Sequence, residues 1–150
     1  DVYKRQMINM ALPIKNGKIG TPYGKPGKIW SAGHHQGVDF PCKVGTEVLA
    51  VDNGTVVAIG SPWGPNFGKH SVLVRHKVKS GRWIKKTVWV IYAHTSATHC
   101  RVGSKVKKGQ LIAYSGAEGN VTGPHLHLEA HTTPYWNTTS DIDPQPLLDA

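Results

Sequence analysis

No run of the 150-residue chain approaches about eighteen consecutive apolar residues, so no segment is a candidate membrane-spanning helix. Cysteine is scarce, with only Cys42 and Cys100. They form no C-x-x-C, which excludes a zinc knuckle built on cysteine. They can pair in an oxidising compartment or stand as two separate buried thiols, and the sequence leaves both readings open. Acidic residues are few, 9 against 18 Lys and Arg, for a net charge of +9 and an isoelectric point near 9.7. Such a surface suits an anionic partner (nucleic acid, a membrane or an acidic wall polymer) or is simply solvated. No ten-residue stretch has clear helical periodicity, and H-E-x-x-H is absent, so a helix-borne metallopeptidase site is excluded. Internal repeats, coiled-coil heptads and an interdomain linker are missing as well.

What is present is a globular composition, 39% hydrophobic and 18% charged, in a chain of one domain's length. A domain of this size buries enough surface to need no covalent staple. The 17 glycines and 10 prolines are costly inside helices and favour short strands joined by tight turns. Asp1 to Gln6 (DVYKRQ) has neither the apolar stretch nor the small-residue cleavage site of a signal peptide. It reads as the in-frame translation of a sequencing adaptor. Residues 1–6 are therefore expected to be a non-native leader and residues 7–150 a single domain.

Ala11 to Ala32, rich in Gly, Pro and Lys, reads as loop with at most short strands. Strands are expected at Glu47–Ala50, Thr55–Ile59, Ser71–Lys77, Arg82–Ala93, Leu111–Tyr114 and Leu126–His131. Asp52-Asn53-Gly54 reads as a type I′ hairpin turn between the first two, since Asn-Gly tolerates positive φ. Ser80-Gly81 is a further turn, Ser61–Gly68 and Gly116–Pro124 are loops, and Asp141–Leu148 is a Pro-broken closing segment. About seven short strands without helices predict an all-β domain, sandwich or barrel-like.

Histidine is abundant, at nine residues. His125-Leu126-His127 means little in isolation, but it follows Gly123-Pro124 and begins an alternating stretch. In a strand, residues i and i+2 share a face, so both imidazoles project together while Leu126 and Leu128 face the core. His35-Gln36-Gly37-Val38-Asp39 can likewise put an imidazole and a carboxylate on one face. Gly37 between them removes a side chain where a ligand can approach. Two histidines and an aspartate with an open fourth position form a catalytic rather than a structural zinc arrangement. His94, ending the longest strand, reads in isolation as a strand-end surface residue.

Taken in order, these motifs resemble the lysostaphin/LytM-type zinc endopeptidases that cleave bacterial peptidoglycan cross-bridges or stem peptides. That family carries H-x-G-x-D early, Y-x-H in the middle and G-P-H-L-H-[LF]-E late. Here stand His35-Gln36-Gly37-Val38-Asp39, Tyr92-Ala93-His94 and Gly123-Pro124-His125-Leu126-His127-Leu128-Glu129. Glu47–Val57, Gly103–Ile112 and Asp143-Pro144 match further landmarks. The similarity runs in order from about Gly33 to Glu129.

The resemblance implies a single compact antiparallel β domain, a duplicated hybrid motif with Gly/Pro-rich loops around an active-site groove. It implies Zn2+ held by His35, Asp39 and His127, with His94 and His125 as non-ligand catalytic histidines. Either of those two can be the general base. His34 is a second imidazole beside the first ligand and could compete for metal, but the spacing to Asp39 through Gly37 selects His35. His70, His76, His99 and His131 match no family position and read as surface or supporting residues. Glu129 either orients His127 or is a surface carboxylate. The implied substrate is bacterial peptidoglycan, met at the cell wall by a bacterial hydrolase, a phage endolysin or a virion protein. Anionic wall polymers are a further partner, a monomer is expected, and nucleic acid is not expected as a partner. Three rival readings fit the sequence less well. A catalytically inactive LytM-like binding or activator module would lack ligands, whereas all five positions are filled. A nucleic-acid-binding barrel built on Trp30, Trp63, Trp83 and Trp89 lacks a common strand register and leaves the histidines unexplained. A zinc amidase fits the motif order less well than an endopeptidase.

Overall fold

The computed structural model describes residues 10–60, 62–78, 86–119, 121–134, 136 and 139–148. The expected leader at residues 1–6, the Ser80-Gly81 turn, Trp83 and the Arg82–Lys85 part of the long strand lie outside the described residues.

The described chain is all-β. Its strands are β1 (Val38–Pro41), β2 (Glu47–Leu49), β3 (Gly54–Ile59), β4 (Val72–Lys77), β5 (Thr87–Ala93), β6 (Ala97–Thr98), β7 (Lys105–Val106), β8 (Leu111–Tyr114), β9 (His125–His131) and β10 (Asp141–Ile142). Two 3-10 turns, Pro65–Phe67 and Gln145–Leu147, complete it. A seven-stranded sheet runs β1-β9-β5-β4-β3-β7, with β10 also paired to β9, and a three-stranded sheet runs β2-β8-β6. All of these strand pairings are antiparallel.

Period-two alternation sorts the large sheet into two faces. Val72 and Val74, Val88, Val90 and Tyr92, and Leu126, Leu128 and Ala130 enter the main core. There they meet Val48, Ile112 and Ala113 of the small sheet. The opposite face carries a smaller cluster of Leu73, Ile91 and Ala93, roofed by Trp63, Phe67, Trp89 and Trp136. The histidines of β9 stand on this second face. The closing segment contributes β10 and then buries Leu147 and Leu148 in the main core.

Two expectations change. Asp52-Asn53-Gly54 is not a hairpin turn: β2 pairs with β8, whereas β3 pairs with β4 and β7. Neither Asn53 nor Gly54 has positive φ. The corner passes the chain from one sheet to the other, so Val48 and Val56 enter the same core from opposite sides. Gly54 is needed for close packing, since a Cβ there would lie 2.4 Å from the Arg75 carbonyl oxygen. Secondly, His76 is neither surface nor supporting residue for the site, but a fully buried core group. Its Nδ1–H donates to the Asn53 carbonyl at 3.0 Å, and its Nε2 accepts from the Tyr92 hydroxyl at 3.0 Å. Of the two readings open for the cysteines, separate thiols is the one found: Cys42 and Cys100 are free and half-buried against the main core.

Candidate active site

Asp39 on β1 and His127 on β9 are cross-strand partners, so their side chains are adjacent on one face. His127 Nδ1 lies 2.8 Å from Asp39 Oδ1. The segment leading into β1 brings His35 Nε2 to 3.2 Å from His127 Nδ1 and 3.3 Å from Asp39 Oδ1. These three ligand atoms all lie within 4.8 Å of one another. Gly37 permits the approach, though the neighbour it admits is protein rather than ligand. A Cβ there would sit 2.3 Å from the Leu128 carbonyl oxygen and 2.8 Å from His127 Cε1.

Acceptor-only neighbours orient both rings. His35 Nδ1–H donates to the Pro22 carbonyl at 3.0 Å, leaving a lone pair on Nε2. His127 Nε2–H donates to Glu129 Oε1 at 2.8 Å, while its Nδ1 faces Asp39 Oδ1, likewise acceptor-only, at 2.8 Å. With His127 neutral, two lone pairs and a carboxylate oxygen would converge with no donor among them, an arrangement that calls for a cation. Without a metal ion a proton takes that place. Burial opposes charge on His127, yet hydrogen bonds to Asp39 and Glu129 outweigh it and raise its pKa to about 9. Burial alone would raise Asp39, but the bonds and charges of His127 and His35 hold it well below the usual carboxylate range.

Glu129 is buried and anchors this group from behind. It accepts from His131 Nε2–H at 2.7 Å and Trp136 Nε1–H at 3.1 Å as well as from His127. Ser140 Oγ–H then donates to His131 Nδ1 at 2.7 Å. Burial disfavours the Glu129 carboxylate, but His127 and His131 hold its pKa at about 2. Of the two readings of Glu129, orientation of His127 is the one realised.

His94 and His125 face each other across the group, with ring centroids 5.0 Å apart. His125 Nδ1–H donates to the Gly123 carbonyl at 2.8 Å, and its Nε2 stands 3.6 Å from Asp39 Oδ1. His94 is not a surface residue. It directly follows β5 in the left-handed region at φ 64°, a conformation that costs a non-glycine residue about 1–2 kcal/mol. Its N–H donates to the Phe67 carbonyl at 2.8 Å and its Nδ1–H to the Glu118 carbonyl at 2.6 Å. Burial, aided by the charge of His127, lowers its pKa to about 4, so the ring is neutral with an Nε2 lone pair.

These side chains open on a cleft of 510 Å³ whose lining includes Trp30, Trp63, Phe67 and Trp136. Trp30 tilts over His35 with ring centroids 5.0 Å apart. Trp30 and Trp63 share no strand register because both sit on loops, where position follows from chain packing rather than alternation. His34 lies outside the three-ligand group, 3.2 Å from Asp141 Oδ2. His70 pairs with Glu118 at 2.8 Å, and His99 packs edge-on against Tyr114. Asp141 and Glu118 escaped the sequence reading, since each acts through partners far away in the chain, and so did Trp136, whose loop position carries no periodic signal.

An all-β scaffold carrying this His-Asp-His group in an open cleft has the architecture of a metallopeptidase. Residues 33–144 match peptidase family M23, and the chain belongs to that family. Among curated relatives it is 36% identical over 136 residues to the glycyl-glycine endopeptidase ALE-1 of Staphylococcus capitis, covering 90% of this chain and 34% of that protein. Lysostaphin of Staphylococcus simulans is 34% identical over 136 residues, covering 90% of this chain and 25% of that protein. The chain thus spans a quarter to a third of these relatives' length. The solved catalytic domain of lysostaphin superposes with a TM-score of 0.72 at 32% identity, covering 88% of this chain and 92% of that one. A zinc-containing peptidase from Vibrio cholerae gives a TM-score of 0.68 at 25% identity, over 90% of this chain and 39% of that one.

Proposed function

We propose that this chain is a zinc-dependent endopeptidase domain that hydrolyses peptide bonds in bacterial peptidoglycan. The convergence of His35 Nε2, Asp39 Oδ1 and His127 Nδ1 carries the reading, because a neutral-imidazole pair with one carboxylate suits zinc and leaves a coordination position open. Zinc held there would supply Lewis acidity, polarising a peptide carbonyl and acidifying a water near neutral pH. The names of the relatives point to the substrate: ALE-1 is a glycyl-glycine endopeptidase and ShyA of Vibrio cholerae a peptidoglycan DD-endopeptidase. The site of action is accordingly the cell wall, outside the cytoplasm, and the net charge of +9 suits its anionic polymers.

His35, Asp39 and His127 are the ligands in this reading, and His94 and His125 the catalytic pair. Glu129 takes the His127 Nε2–H, so that Nδ1 is the nitrogen left to face a metal in the group. His94 is held neutral by burial and offers Nε2 to take a proton from the attacking water. His125 stands beside the Asp39 carboxylate, which provides a counter-charge when His125 carries a proton to the oxyanion or the leaving amine. Both rings are locked through Nδ1 to backbone carbonyls, so neither must reorient during the reaction.

The test is digestion of purified muropeptides with glycyl, D-alanyl and directly cross-linked bridges, with mass spectrometry of the new termini. New amino termini within the peptide, lost on chelation and restored by Zn2+, support the reading. Release of intact stem peptides from the sugar would assign an amidase instead.

A further inference from the structure

The segment before β1 presents two adjacent imidazoles, His34 and His35, and only the second enters the ligand group. Successive side chains of an extended chain point to opposite sides. His34 and Gln36 accordingly face away from His35, and both meet one carboxylate. Asp141 Oδ2 accepts from His34 Nε2–H at 3.2 Å, and Oδ1 accepts from Gln36 Nε2–H at 3.2 Å. Tyr23 O–H donates to Oδ2 at 2.5 Å. The Asp141 side chain is only 4% exposed, so these bonds are little contested by water. Its backbone is anchored independently: Asp141 on β10 is the cross-strand partner of His131 on β9, which steadies Glu129 behind His127.

We infer that Asp141 is a positioning residue that decides which of the two neighbouring histidines enters the metal-binding group. By holding the residues on both sides of His35, it keeps the segment from turning over. A local turn of residues 34–36, with Asp39 still held opposite His127 in the β1–β9 ladder, would exchange His35 for His34. With Nε2–H committed to the carboxylate, His34 also lacks a lone pair at that nitrogen. The inference rests on the reading of His35 as a ligand.

Cobalt(II) titration of the metal-free protein, followed by visible absorbance and chelator competition, tests this without any activity assay. Circular dichroism verifies the fold of each variant. Asp141→Ala is expected to weaken cobalt binding about 10–100-fold, the usual effect of losing a group that orients a ligand. Asp141→Asn keeps one acceptor oxygen and should weaken it less. It carries the measurement if the alanine variant does not fold. His35→Ala should bind no cobalt, because Asp141 still detains His34. Cobalt binding regained in His35→Ala/Asp141→Ala, or in His35→Ala/Asp141→Asn, and lost again on adding His34→Ala supports the proposal. Double variants as empty as His35→Ala overturn it, and so does wild-type affinity in both single Asp141 variants. Retention of cobalt by His35→Ala alone would instead overturn the assignment of His35.

Discussion

Replacing Gly37 by alanine adds a single methyl group between two residues of the ligand group. Gly37 has no positive φ, so the substitution introduces no backbone strain of that kind. The cost is steric. The new Cβ would lie 2.3 Å from the Leu128 carbonyl oxygen, about 1 Å short of the 3.4 Å at which ordinary contact begins. A backbone oxygen fixed in the β1–β9 ladder cannot swing aside as a side chain would, so the strands must part locally. Overpacking of this kind costs about 1–3 kcal/mol. For a chain of this length that is roughly 2–12 °C in Tm, measured on the metal-free protein. The same displacement separates His35 and Asp39 from His127. Metal ligation tolerates only about 0.2 Å, so zinc affinity should fall about 10–100-fold by chelator competition. Gly123→Ala is the control, since a Cβ there meets nothing within 4 Å. If Gly37→Ala has parental Tm and zinc affinity while Gly123→Ala behaves identically, the β1–β9 approach yields freely and the argument for Gly37 fails.

His94→Ala and His125→Ala should each retain one zinc per chain while kcat falls by about 10²–10⁴, and the double variant should lose less than the product of the two. Loss of zinc from His125→Ala would make His125 a ligand and displace His127 from the set. His76 supplies a pH prediction remote from the cleft: burial pushes its pKa down to about 4, against about 6.5 when unfolded. Its neutral burial contributes stability that is complete above about pH 6.5 and is lost as the pH falls through about 4, about 3 kcal/mol in all. Thermal melts between pH 7 and pH 4 should therefore show a shallower decline in His76→Gln than in the parent, and equal slopes would remove His76 from the account. Wall binding should weaken with added salt while cleavage of a small soluble peptide changes little, because screening acts over about 8–10 Å. Salt-independent sedimentation with walls would reduce the basic surface to a solubility feature.

The features legible in the sequence were those set by neighbours along the chain. Alternation in His125-Leu126-His127-Leu128 placed two imidazoles on one face and two leucines on the other, because a pleated strand has a period of two whatever it packs against. The strand at Leu111–Tyr114 was delimited correctly for the same reason, and the sparse helix-forming pattern pointed to an all-β domain. The ordered motifs carried the family resemblance. Local chemistry also misled. Asn53-Gly54 has the composition of a tight hairpin, yet its flanking strands belong to different sheets, since burying Val48 and Val56 in one core outweighs the turn preference of two residues.

What only the tertiary structure decided were matters of long-range pairing. His35 and His127 meet across 92 positions and Asp39 and His127 across 88, brought together by the ladder between β1 and β9. The spacing to Asp39 selects His35 over His34, but no local pattern shows what holds His34 aside, or that Glu129 is buried and His70 is not. Those outcomes depend on which groups other segments supply: Asp141 from the closing strand beside His34, Trp136 from the loop after β9 beside Glu129, and the Phe67 and Glu118 carbonyls around His94. Backbone period is a property of consecutive residues. Burial, tautomer and charge are properties of the partners that folding places around them, and those partners lie elsewhere in the chain.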